Sequence, residues 1–223
     1  MHNNRIVVSD IQESVHLAMY RHDVNQFFIF ADDTLPRWLT CCIPLDQDTY
    51  AGGDKFGNFF IIRLPKHVSI DLEEDPTGNR LLVDKPSLNG APHKFDHIVH
   101  YHVGDIITSL NKTGLVFGGR EVLIYTTLQG GIGCFVPFVS REDVEFFQLL
   151  EAHLRNENSS LVGRDHLWYR SYYMPVKNVI DGGLCEQFVS LPSEKRSEIS
   201  STFDRSPAEL IKRIQDIRTN VAF

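Results

Sequence analysis

Four histidines fall close together in the middle of the chain: His93, His97, His100 and His102. Residues two apart on a strand share a face, so His100 and His102 could in principle present two imidazoles to a zinc ion. No cysteine pair and no second His-x-His accompanies them, so ordinary surface or satisfied strand histidines are the expected reading. Cys134 and Cys185 are the candidates for a Cys–His nucleophile. Neither is followed by the glycine elbow or helix start that would activate it. Asp32-Asp33 and the Asp46/Asp48 pair are neighbouring carboxylates, but they sit in turn-like sequence, where aspartate serves the backbone. There is no GxGxxG or Walker sequence, and Gly118-Gly119 and Gly130-Gly131 read as hairpin glycines. The expectation is a chain with no catalytic residues, no metal and no cofactor.

The stretch Gly163–Phe188 carries a different kind of chemistry, that of recognition. It holds Trp168, Tyr169, Tyr172, Tyr173 and Phe188 among charges of both signs: Arg164, Asp165, Arg170, Lys177, Asp181 and Glu186. Large rings supply roughly 150–250 Å² each of core or interface area. The set Arg164, Asp165, His166 and Arg170 reads as a satisfied polar network. Pro175 and Gly182-Gly183 exclude a plain helix. The stretch is expected to be an irregular buried junction between two architectures.

Upstream, short apolar runs recur at intervals of about ten residues: Ile6–Ser9, Val15–Tyr20, Phe27–Ala31, Trp38–Ile43 and Phe59–Leu64. That rhythm marks antiparallel strands of a barrel, sandwich or propeller. Residues 66–95 interrupt it with prolines and the acidic run Asp71, Glu73, Glu74 and Asp75, which predicts a solvated surface insertion with a turn at Glu74–Asn79. Strands resume at Asp96–Val103, Ile106–Leu110, Glu121–Thr127 and Ile132–Phe138. A weak repeat relates Thr49–Leu64 to Leu123–Phe138, as propeller blades do. At ~40–45 residues per blade the strand region makes about two and a half blades, too few to close a ring. Unpaired sheet edges would remain, so further chain or a partner should complete the sheet.

From Ser140 the period becomes helical. Val144, Phe147, Leu150 and Leu154 form one stripe, Asp181 can cap a helix burying Leu184 and Phe188, and Ser193 opens a third with Ile199 and Phe203. Ser206-Pro207-Ala208-Glu209 starts a fourth, striped by Leu210, Ile214, Ile217 and Val221.

The net charge of −7 argues against a surface that grips nucleic acid through its phosphates. Cys41, Cys42, Cys134 and Cys185 lack CxxC spacing and read as buried reduced thiols. No secretory signal and no apolar run of ~20 residues is found, so an intracellular chain without a membrane span is expected.

With these residues laid out, the chain resembles the splicing-factor-3b branch of the family containing the cleavage and polyadenylation specificity factor A subunit and damaged-DNA-binding protein 1. The matching segments are RIVVSDIQES (5–14), FFIFADDTLPRWLT (27–40), GGDKFGNFFIIRLP (52–65), EEDPTGN (73–79), YTTLQGGIG (125–133), residues 163–188 and DIRTNVAF (216–223). The resemblance implies a mainly β fold with C-terminal α. Residues 1–138 would be the last blades of a partial seven-bladed-type β-propeller, with the insertion at 66–95, and 139–223 a small helical domain. It implies a non-enzymatic nuclear scaffold in the U2 small nuclear ribonucleoprotein, acting in pre-mRNA splicing and branch-site recognition. Its partners would be a HEAT-repeat subunit, the small splicing-factor-3b subunits and upstream propellers, with indirect RNA contact. A nucleic-acid-binding module and a ubiquitin-ligase adaptor are the competing readings. Partner contacts are expected at Asp75, Arg164, Asp165, Trp168, Arg170, Tyr172, Tyr173 and Lys177. Two departures stand out. Gly183 replaces the aspartate usual in the family, and the chain starts where relatives have most of their length upstream, as a fragment or split product would.

Overall fold

The computed structural model describes residues 5–75, 90–157 and 163–222, the last three by backbone alone. It is mainly β-sheet with several helices. Strands β1 (Arg5–Asp10), β2 (Ser14–Arg21), β3 (Gln26–Asp32) and β7 (His93–Lys94) form one sheet in the order β1-β2-β3-β7. A second, β4-β5-β6-β8, comprises β4 (Leu39–Pro44), β5 (Thr49–Asp54), β6 (Asn58–Arg63) and β8 (Asp96–His102). A third sheet has the order β11-β10-β9, from β9 (Ile107–Gly114), β10 (Glu121–Thr127) and β11 (Ile132–Phe135). The expected strand rhythm is present, and open sheets of this kind fit part of a propeller.

The chain divides into two compact units. The first holds Met1–Asn111, Tyr125–Ile132 and Ser171–Asn178, and the second Lys112–Ile124, Gly133–Arg170 and Val179–Phe223.

In the first unit, alternation decides what is buried. Val15, Leu17, Met19 and Phe30 of the first sheet pack with Tyr50, Phe60 and Ile62 of the second and with Leu64 just after β6. Each large apolar side chain so buried contributes roughly 1.5–3 kcal/mol. The tight approach explains two glycines inside a strand: the ring of Phe60 occupies the space a Cβ on Gly52 would need, and a Cβ on Gly53 would lie 2.8 Å from Ile107. On its other face the first sheet is apolar too. Ile6, Val8, Ala18, Tyr20, Phe27 and Ile29 share that face by register. Phe27 is 65% exposed and Ile29 50%.

The interruption at residue 66 is not the solvated loop the sequence suggests. Lys66–Glu74 is a helix whose Val68 and Leu72 join the core. Its apolar positions are four apart, a stripe masked in sequence by the acidic residues around it. Of the expected turn at Glu74–Asn79 only Glu74 and Asp75 are described, and the side chain of Val221 lies outside the described residues.

In the second unit the helix Arg141–Glu157 buries Phe146, Phe147, Leu150 and Leu154 against Leu184, Cys185, Phe188, Ile199, Leu210 and Ile214. Two caps behave as their sequences predict. The Asp181 side chain accepts from the Leu184 amide at 3.2 Å. Ser206 and Glu209 exchange bonds, Glu209 N–H to Ser206 Oγ at 3.4 Å and Ser206 N–H to Glu209 Oε2 at 2.7 Å. The four thiols are free, but only Cys185 is buried. Cys134 is exposed, because β11 turns it outward, and Cys41 and Cys42 are half-buried. Among the described residues, no helix is long and apolar enough to cross a membrane.

Candidate functional site

The first unit contains a buried charge network that includes a turn-forming aspartate and two of the strand histidines. Asp33 and Arg37 lie at the end of β3 and just before β4, four residues apart, and their side chains are fully buried. Arg37 Nε donates to Asp33 Oδ2 at 2.9 Å, and Ser14 Oγ donates to the same oxygen at 2.6 Å. His97 Nε2 reaches Asp33 Oδ1 at 2.8 Å. Arg37 Nη2 lies 3.3 Å from His97 Nδ1 and 3.4 Å from His100 Nδ1, and the guanidinium stacks 4.1 Å over the Phe60 ring. Burial works against the charge of Asp33, yet the His97 bond and the Arg37 cation hold its carboxyl well below the usual range. Burial and the Arg37 cation push His100 down to about 4. Asp33 is therefore a buried ion-pair partner as well as the turn aspartate expected from sequence, since it also accepts from the Leu35 amide at 3.2 Å. Asp32, also buried, accepts from the Ala91 amide at 3.0 Å.

A second buried carboxylate, Asp54 at the end of β5, is 0% exposed. It accepts from the amides of Phe56 and Asn58 at 2.9 Å each, from Asn58 Nδ2 at 2.8 Å, and from the hydroxyl of Tyr173. The segment Ser171–Asn178 is fastened to β8 by more bonds. His100 and Lys177 pair as an antiparallel bridge, with Lys177 N–H to His100 O at 3.0 Å and His100 N–H to Lys177 O at 3.2 Å. Lys177 Nζ donates to His97 O at 2.6 Å and Asn178 Nδ2 to Ile98 O at 2.8 Å. Over this base lies an aromatic surface. Tyr172 stacks between Phe56 (5.7 Å, 17°) and His102 (5.4 Å, 18°) and is 59% exposed. Nearby in the chain, Lys55 Nζ sits 3.0 Å over the Trp38 ring.

In the second unit Asp181 is the hub. His166 Nε2 is 2.7 Å from its Oδ2, Arg170 Nε donates to the same oxygen at 2.6 Å, and the Asp181 amide donates to Glu151 Oε1 at 2.9 Å. Burial opposes its charge, but the Arg170 cation and these bonds lower its carboxyl below the usual value. Asp165 caps the short helix His166–Tyr169. Trp168 projects from that helix, 71% exposed, and Arg170 stacks 4.9 Å from the Tyr169 ring.

The expected site residues are thus divided. Tyr172, Tyr173, Lys177 and Asp75 belong to the first unit, and Arg164, Asp165, Trp168 and Arg170 to the second. Of the charged residues in the stretch only Asp181 is buried, and of its rings only Phe188. Trp168, Tyr169, Tyr172 and Tyr173 are exposed, a correction to the buried junction predicted from their types. The buried anchors are instead Asp54, Asp181 and Phe188. Asp54 serves the local turn amides of Phe56 and Asn58, but its bond from Tyr173 and the contacts of Arg37 with His97 and His100 join residues far apart in the chain and carried no signal in sequence. Among the described residues, no three His, Cys, Asp or Glu side chains are grouped to hold a metal ion.

Each unit thus holds a polar hub, Asp54 in the first and Asp181 in the second, with exposed aromatic rings near it in the chain. Residues 1–190 match the family described as the CPSF A subunit region, and the chain belongs to that family. It is 55% identical over 98% of its length to the splicing factor 3B subunit 3 of Danio rerio, and 55% over 97% to the probable splicing factor 3B subunit 3 of Dictyostelium discoideum. It is 51% identical over 99% to the spliceosome-associated protein 130 A of Arabidopsis thaliana. It spans only 17–18% of these relatives' own length.

Proposed function

We propose that the chain is a non-catalytic scaffold in pre-mRNA splicing, working in the nucleus by protein–protein contact within a splicing factor 3b assembly. The names of its relatives support the process, and the exposed rings support the mode. Trp168 is 71% exposed, and Tyr172 is 59% exposed although its ring is stacked on Phe56 and His102; interface hot spots are enriched in Trp, Tyr and Arg. That exposure is the observation on which the reading rests. In this reading residues 1–138 are the closing blades of a propeller, 139–223 a helical domain, and the partners a HEAT-repeat subunit, small companions of the U2 particle and upstream propellers. Affinity capture of the HEAT-repeat subunit of splicing factor 3b tests it. Trp168→Ala with Tyr172→Ala should weaken capture at least tenfold, by the truncation cost of two hot spots. Unchanged capture, or RNA binding that falls steeply with salt while capture fails, would reject it.

A further inference from the structure

The bonds of Arg37 leave one group over. Nε goes to Asp33 and Nη2 to the two histidines, but Nη1 is buried with no acceptor among the described residues. Arg37 is 1% exposed, so bulk water does not reach it. A buried guanidinium N–H without an acceptor carries the full desolvation cost of a charged donor. Beside it is a cavity of about 10 Å³ walled by Arg37, Asn58, His100, His102, Tyr173 and Met174. That is about the space one water molecule needs, provided two or more polar partners line it.

We propose that this cavity is a binding site for one internal water, held by Arg37 Nη1 and returning its protons to oxygens on the Asn58 and Tyr173 walls. Both oxygens have capacity left. Asn58 Oδ1 is met by His102 Nδ1 at 3.2 Å, and the Tyr173 hydroxyl donates to Asp54 and faces the Arg37 guanidinium, which leaves one lone pair to accept from a water. Charge selects a neutral occupant. Arg37 is already balanced by Asp33, and the carboxylate of Asp54 lies behind Asn58 and Tyr173, so an anion would meet uncompensated negative charge. The water ties three places distant in sequence: the residue before β4, the start of β6 and the Ser171–Asn178 segment. It makes that segment's attachment partly a hydration contact.

A crystal structure of the chain that resolves solvent tests the site. The expected result is one full-occupancy peak about 2.7–3.2 Å from Arg37 Nη1, with at least two further polar neighbours. An empty cavity, a protein acceptor moved onto Nη1, or an anomalous peak for a halide would overturn it. In solution, water-oxygen relaxation dispersion counts long-lived internal waters. Tyr173→Phe should lose one, with amide exchange at Lys177 about tenfold faster. An unchanged count in a folded Tyr173→Phe variant would also overturn the proposal.

Discussion

The hydroxyl of Tyr173 donates to the buried carboxylate of Asp54, 119 residues earlier in the chain. The bond gives a tyrosine with an exposed ring a fixed position, and it closes the ring of donors around a carboxylate that has no access to water. Burial, then the Asp54 bond, pushes the Tyr173 phenol well above its usual value, so it stays a donor at any physiological pH.

Replacing Asp54 by Ala strands the Phe56 and Asn58 amides, the Asn58 side chain and the Tyr173 hydroxyl together. Each orphaned donor costs about 1–3 kcal/mol, and relaxation recovers part. A net loss of roughly 3 kcal/mol or more is expected from chemical denaturation. A loss below 1 kcal/mol would show that Asp54 is not the hub described.

Acid should loosen the first unit in two stages. The folded value of His100 is about 4 against an ordinary 6.5. Its depressed value favours the folded state while it is neutral, so this stability is full above pH 6.5 and is lost as pH falls toward 4. The limit is about 3 kcal/mol, since one pKa unit is worth about 1.4. Asp33, lowered from 3.8, contributes stability above that value and loses it at still lower pH. Denaturation midpoints should fall between neutral pH and about pH 4.5, and His100→Gln should flatten that slope.

Trp168→Ala should leave folding nearly untouched, within about 0.5 kcal/mol, because the ring is mostly in solvent. Asp181→Ala should cost several times more. It frees His166, Arg170 and the Leu184 amide at once. Thermal unfolding of the two variants side by side checks the contrast.

Gly183 offers a test through a carboxylate. A Cβ there would lie 3.3 Å from Asp181 Oδ1. Gly183→Asp should therefore raise the Asp181 pKa by like-charge repulsion. Carboxyl-detected NMR titration would show the shift, and its absence would mean that the new side chain turns away.

How far the sequence foretold this depended on range. Strand periodicity placed β1 to β3, and short-range capping chemistry placed Asp181 and the Ser206–Glu209 pair within a residue, because the interactions involved are local. The helix at Lys66–Glu74 escaped because its polar surface is acidic and its buried apolar stripe is only Val68 and Leu72. Asp33 was legible as a turn aspartate and His100 as a satisfied strand histidine, but their joint network with Arg37 was not, because those partners come together only after β3, β4 and β8 are assembled. The aromatic stretch was misjudged in the opposite sense. Residue type alone cannot say whether Trp168 fills a core or awaits a partner, since both uses select the same large rings.

The outward face of the first sheet has a consequence for the life of the polypeptide. Phe27 and Ile29 stand in water beside Tyr20, and apolar strand surface of this sort is what holdase chaperones retain and what proteolytic triage reads as unfinished assembly. The amount of the chain in a cell would then be set less by its synthesis than by the supply of whatever covers that face. Copies made in excess would be cleared.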